Sequence, residues 1–158
     1  MRKREGANEA NEASATNGAG SACPFCQIVA RETSAYIVFE DDVSLAFLDH
    51  RPLFPGHCLL ITKKHYPTLY DLPDDLMGPI FSNARNLAQA VQSAMQADGT
   101  FVAINNVVSQ SVPHFHMHIV PRKRGDGLRG FFWPRHKVTE EELRAVQQTL
   151  VTALGQGR

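Results

Sequence analysis

Pro113-His114-Phe115-His116-Met117-His118-Ile119-Val120 alternates an imidazole with an apolar side chain from His114 to Ile119. A period of two belongs to the β-strand, whose successive side chains point to opposite faces. The spacing predicts a strand over Phe115–Val120, with His114, His116 and His118 along one face and Phe115, Met117 and Ile119 entering a core. A helix would turn His116 away from the other two, and Pro113 and Val120 also favour extended chain. Titratable rings are costly to gather without a use, so this face is a candidate functional site. Two chemistries fit it. Histidines two apart on a strand can share a catalytic zinc with a third ligand and a water. Alternatively, one neutral imidazole attacks phosphorus while its neighbours orient it and neutralise the phosphate.

Around this strand the chain reads as α+β. A short helix is expected near Phe25–Arg31, and Tyr36–Phe39 with Leu45–Leu48 form a hairpin turning at Glu40-Asp41-Asp42. Pro52, Pro55 and Gly56 force a loop before an apolar strand at Cys58–Thr62. Leu76, Ile80, Phe81, Ala84, Leu87, Val91 and Met95 fall near helical spacing, although Pro79 weakens the first turns. Phe101–Ile104 is a further strand, and Thr139 with Glu142 is a capping box opening a helix striped by Leu143, Val146, Leu150 and Leu154. Strands outnumber helices without regular β-α-β alternation. An antiparallel sheet with helices on one side follows, a long helix and the C-terminal helix being packed on it.

Composition bounds the function. The 158 residues carry 16 basic and 16 acidic side chains, so no global field draws the protein to nucleic acid or an anionic membrane. No apolar run approaches the roughly 18 residues a bilayer-spanning helix needs, and the basic Arg2-Lys3-Arg4 start lacks the apolar segment of a secretory signal. Three cysteines suit a reducing, cytoplasmic setting better than a disulfide scaffold. Residues 1–22 are small and polar apart from Met1 and read as a disordered tail; residues 23–158 read as one domain.

Cys23-Pro24-Phe25-Cys26 is a C-x-x-C pair, half of a tetrahedral zinc site. Two thiolates would need two more ligands, and the closed site would be structural. His50, His57, His65, His114 and His136 are all candidates by type. Cys58, between His57 and Leu59, reads as a buried, unpaired thiol.

The three-histidine run followed by Pro121-Arg122 resembles the H-x-H-x-H signature of the histidine triad (HIT) family. Phe25-Cys26-Gln27-Ile28, Tyr36–Asp42, Ala46–Asp49 and Gly56–His65 resemble family segments in the same order, so the likeness runs from about Cys23 to Pro134. It implies a HIT-like fold and a nucleotide hydrolase or transferase working through a covalent nucleotidyl-histidine. By that resemblance His116 is the nucleophile, His118 contacts phosphate and leaving group, and His57 supports them. Asp49 binds the ribose hydroxyls; Phe25, Ile28, Phe47 and Leu48 clamp the base; Ser111, beside Gln110, and Asn105 lie at the phosphate. A structural zinc would be held by Cys23, Cys26, His65 and His114, and the protein would be a homodimer whose sheet continues across a two-fold axis.

One departure from the family pattern stands out. Asn106-Val107-Val108-Ser109 lacks the glycines many relatives carry before the triad, and Asn106 is the expected occupant of any positive-φ position. The basic residues Arg122, Lys123, Arg124, Arg129, Arg135 and Lys137 are interleaved with Phe131, Phe132 and Trp133. They read as a solvated loop over the dimer, or, more sharply, as a holder for a polyphosphate or nucleic-acid leaving group. Three functions are therefore weighed: a hydrolase of dinucleoside polyphosphates or nucleoside phosphoramidates, a nucleotidyl transferase or phosphorylase, and a non-catalytic nucleotide-binding dimer.

Overall fold

The computed structural model describes residues 23–128 and 137–156. The expected N-terminal tail and the aromatic residues Phe131, Phe132 and Trp133 lie outside these. The described chain divides after Arg124 into a larger unit and a smaller one beginning at Gly125.

In the larger unit, α1 (Pro24–Val29) leads into β1 (Ile37–Glu40), β2 (Ser44–Leu48) and β3 (Cys58–Thr62). The long α2 (Asp74–Ala94) then precedes β4 (Gly99–Ala103) and β5 (His116–Arg122). The strands form one sheet in the order β1-β2-β3-β5-β4 with every neighbouring pair antiparallel. The α+β antiparallel architecture expected from the sequence is what forms. The hairpin turn between β1 and β2 is closed by Asp41, whose carboxylate accepts the backbone N–H groups of Val43 and Ser44 at 3.0 and 2.7 Å. A short side chain that bonds backbone two or three residues on is the usual device of such turns.

Helices on one side of the sheet is the expectation that fails. Ala46, Cys58, Leu60, Met117 and Ile119 pack against Ile80, Ala84, Leu87 and Val91 of α2. Leu45, Phe47, Leu59 and Ile61 point the other way, against Phe25 and Ile28 of α1. β3 is therefore buried at all five positions, and its sequence, Cys-Leu-Leu-Ile-Thr, is a continuous run rather than an alternation. That run is the mark of a strand covered on both faces. Only on β5 do polar rings occupy the α1 side, and there the site is built.

Pro79 sits inside α2 without ending it. It lies one and a half turns from the helix start on the exposed face, where water can satisfy the carbonyl that loses its partner. Gly56, with φ 90°, precedes β3 where a Cβ would meet Met95 Cγ at 2.6 Å. A side chain there would be strained at that φ and would have to displace the Met95 side chain.

The smaller unit holds α3 (Glu140–Gln156), opened as expected by the Thr139–Glu142 capping box. Its stripe of Leu143, Val146, Leu150 and Leu154 is more than half exposed. No described helix is long and apolar enough to cross a membrane.

Candidate active site and metal centre

β5 begins at His116, so His114 stands just before the strand rather than on it. It is nevertheless fully buried, held by its own N–H to the Val112 carbonyl at 2.8 Å and by the next N–H, of Phe115, to the Tyr66 carbonyl at 2.6 Å. Within β5, His116 lies opposite Ile61 of β3 and His118 opposite Leu59, which fixes both rings on the α1 face.

The hydrogen bonds assign the protons. His116 Nδ1 lies 2.7 Å from the His114 carbonyl oxygen, which can only accept, so Nδ1 carries the hydrogen and Nε2 keeps a free lone pair. The Leu53 backbone N–H donates to His57 Nδ1 at 3.2 Å, so His57 carries its proton on Nε2. That nitrogen lies 3.0 Å from His118 Nδ1, which must accept, leaving the His118 proton on Nε2. The outcome is one imidazole with an available lone pair and, 5.1 Å away between ring centres, another with an N–H to offer. Burial pushes the His116 and His57 pKa values below the ordinary imidazole value. His118 falls to about 4, chiefly by burial and then by the neighbouring His116 and His57. All three rings are therefore neutral at pH 7. A neutral ring is what a nitrogen nucleophile requires.

His116 and His118 open into a cleft of about 400 Å³. Phe25, Ile28, Phe47, Leu48, Asp49 and Ser111, all expected from the sequence, line it too. Phe25 meets Phe47 edge-on at 5.6 Å and His116 at 5.2 Å. The cleft thus combines apolar and aromatic side chains with two imidazoles, a hydroxyl and the Asp49 carboxylate, which lies 3.6 Å from His57 Nδ1. His57 lies behind His118, outside the lining. Asn105 and Gln110 do not line it either; the Gln110 amide donates to the Pro67 carbonyl at 2.6 Å and accepts from the Val107 N–H at 2.9 Å. The sequence did not single out Thr33, Ser34 or Tyr36 for the cleft, and offered His50 only as a metal-ligand candidate, yet all four line it. They lie outside regular elements and carry no periodic signal.

Asn106 is not the positive-φ residue. Val107 and Ser109 are, at 65° and 61°, and the Val108 N–H closes a three-residue turn on the Asn106 carbonyl at 2.8 Å. The Asn106 side chain is occupied elsewhere, accepting the Leu69 N–H at 2.9 Å. A β-branched residue in the left-handed region is a strained arrangement.

Beside the cleft, Cys23, Cys26, His65 and His114 bring their ligand atoms within 4.8 Å of one another. The Cys23 and Cys26 sulfurs lie 3.4 and 3.5 Å from His114 Nδ1, Cys26 lies 3.3 Å from His65 Nδ1, and the two Nδ1 atoms are 3.2 Å apart. The edges of a tetrahedron drawn around zinc with ordinary Zn–S and Zn–N bonds are about 3.3–3.8 Å. His114 Nε2 donates to the Thr62 carbonyl at 2.8 Å, which turns the Nδ1 lone pair toward the sulfurs. Burial and the adjacent Cys23 push the Cys26 thiol up to about 11. The donor set fits a closed four-coordinate metal site.

Residues 30–125 match the HIT domain. The protein belongs to the HIT family. It is 32% identical over 138 residues to the adenosine 5′-monophosphoramidase of Saccharomyces cerevisiae, a match covering 85% of this chain and 84% of that protein. Among solved structures, a zinc-bound histidine triad protein of Mycobacterium smegmatis is 35% identical with a TM-score of 0.65, over 85% of this chain and 99% of the other. A histidine triad nucleotide-binding protein of Candida albicans is 27% identical with a TM-score of 0.76, over 87% and 100%. The first of the two structures carries zinc in its own right; the HIT chain described above offers two cysteines and two histidines for one.

Proposed function

We propose that this HIT protein is a nucleotide hydrolase that cleaves nucleoside phosphoramidates or dinucleoside polyphosphates at the α-phosphate through a nucleotidyl-His116 intermediate. The observation that carries the reading is the hydrogen bond from His116 Nδ1 to the His114 carbonyl, which leaves Nε2 unprotonated in the cleft. Nε2 forms a bond to the α-phosphorus as the bond to the leaving nitrogen or oxygen breaks. The His118 Nε2–H holds that leaving atom and the charge developing on it, and His57 keeps His118 in the donating tautomer. Water then cleaves the N–P bond, giving its hydroxyl to the nucleotide and, in net balance, its proton to the leaving group. Asp49 takes the ribose hydroxyls, Phe25, Ile28, Phe47 and Leu48 the base, and Ser111 a phosphate oxygen. Asn105 and Gln110 have no direct part; Gln110 braces the 106–110 loop.

Zinc is the ion we assign to Cys23, Cys26, His65 and His114. With all four positions filled by protein it would tie α1, the segment after β3 and the residues just before β5 together and supply no open site for substrate. A homodimer joined through the β4 edge, where Val102 is 45% exposed, completes the proposal. Sedimentation at micromolar concentration should find no monomer.

Turnover of adenosine 5′-phosphoramidate, followed by product analysis with and without inorganic phosphate, tests the activity. AMP in both cases supports hydrolysis. ADP formed only with phosphate would replace it by phosphorolysis, and absence of turnover with intact AMP binding by a non-catalytic binding protein.

A further inference from the structure

The sulfur pair and the nucleotide cleft share their supports. Cys23 is the N-cap of α1 and Cys26 its third residue, positions whose side chains meet at the start of a helix. Between them Phe25 turns into the cleft, edge-on to His114 at 5.8 Å and to His116 at 5.2 Å. On the other side, His114 faces the sulfurs through its ring and anchors His116 through its carbonyl. The base wall and the nucleophile therefore hang on one tether. His65 Nδ1 and His114 Nδ1, 3.2 Å apart, close the same group of four ligand atoms.

We propose that the Cys23–Cys26 pair makes the nucleotide site redox-sensitive: oxidation to a disulfide releases the metal and withdraws both Phe25 and the His116 anchor from the cleft. This rests on the hydrolase reading for its effect on turnover, and on the metal centre for its trigger. A hydroperoxide is the oxidant. Its O–O bond takes two electrons from the two thiolates, the sulfurs join, two protons from solvent complete two waters (for hydrogen peroxide), and the divalent ion leaves. The ligand atoms already lie within 4.8 Å, and cysteines three apart in a helical turn fall within the Cα separation a disulfide spans. Cys58 belongs to the opposite face of the sheet, among the α2 contacts, and takes no part.

The test uses the zinc-loaded full chain carrying Cys58→Ser, so that both remaining thiols belong to the site. Hydrogen peroxide should remove two thiols and release one zinc to a chromogenic chelator. AMP affinity and phosphoramidate turnover should each fall at least about tenfold, with far-UV circular dichroism unchanged. Dithiothreitol with zinc should restore affinity and turnover, and dithiothreitol with a chelator should not. Loss of thiols and zinc with AMP affinity unchanged would overturn the switch, as would retention of zinc after peroxide. A reduced, loaded protein that binds AMP without turning over phosphoramidate defeats the hydrolase reading alone, and AMP affinity then decides the switch by itself.

Discussion

The carbonyl oxygen of His114 accepts a hydrogen bond from His116 Nδ1 at 2.7 Å, while the ring of the same His114 faces two sulfurs and a second imidazole. Residues two apart, identical in type and both buried, thereby receive different work. The lone pair of His114 is turned to the sulfur pair by the Thr62 carbonyl, and that of His116 is turned to the cleft by His114 itself. Replacing His116 with Asn should lower turnover by about 10⁴–10⁶-fold, the scale seen when a covalent nucleophile is removed. AMP binding and zinc content should be unchanged. Isothermal titration and metal analysis on one preparation check both, and turnover within tenfold of wild type would remove His116 from the chemistry.

His57 Nε2 and His118 Nδ1 are 3.0 Å apart, and in the proposed mechanism the two rings act as a unit. His118→Asn should lose about 10²–10⁴ in kcat, as expected for one contact to developing charge. His57→Asn removes the donor that fixes the His118 tautomer and should cost a comparable factor. The double variant should be little worse than the worse single one, because both break the same connection. Additive losses would show independent roles.

Metal content separates the first triad histidine from the second. Cys23→Ser, Cys26→Ser and His114→Asn should each lose the zinc and several degrees of Tm, since a structural ion contributes directly to folding. His116→Asn should keep both. Retention of stoichiometric zinc in both cysteine variants would refute the four-ligand assignment.

Stability should depend on pH through the buried rings. An unfolded histidine titrates near 6.5, whereas His118 in the native protein is held near 4, with His116 and His57 also depressed by burial. Between those limits the unfolded chain binds protons that the native chain refuses, so stability is complete above about pH 6.5 and falls as the pH drops toward 4. Below 4 the loss due to His118 is complete. Urea midpoints measured across this range should shift less with pH in His118→Asn than in wild type. An equal slope would mean that His118 titrates normally.

Much of this was legible in the sequence because it was periodic. The alternation His114–Ile119 gave the strand and the shared face of two histidines, and the heptad-like spacing from Leu76 to Met95 gave α2. Sidedness was not legible in the same way: the continuous runs of β2 and β3 signal burial on both faces, but the short α1 that covers the second face buries only Phe25 and Ile28 and leaves little periodic trace. The split between His114 and His116 was also invisible to alternation, since it depends on where β5 begins. The cleft rim at Thr33–Tyr36 and His50 comes from irregular chain, whose side-chain directions no local rule sets. Roles for individual residues came from resemblance, and the hydrogen bonds supply an independent physical reason for each ring's tautomer.

The loop before the triad offers a test that involves no chemistry at all. Val107 is 72% exposed and adopts φ 65°, so its side chain contributes little burial while its backbone sits where a β-branched residue is least at ease. Left-handed geometry costs an ordinary residue about 1–2 kcal/mol, and glycine gives back about 0.5–1 kcal/mol through the greater freedom of the unfolded chain. Val107→Gly should therefore stabilise the protein by up to about 1 kcal/mol while preserving the N–H that Gln110 accepts. Val107→Pro loses that N–H and demands negative φ, so it should destabilise by about 3 kcal/mol or more. Chemical denaturation of the two variants beside wild type reads the difference. A glycine variant clearly less stable than wild type would mean that the valine side chain is held by contacts the exposed loop does not provide.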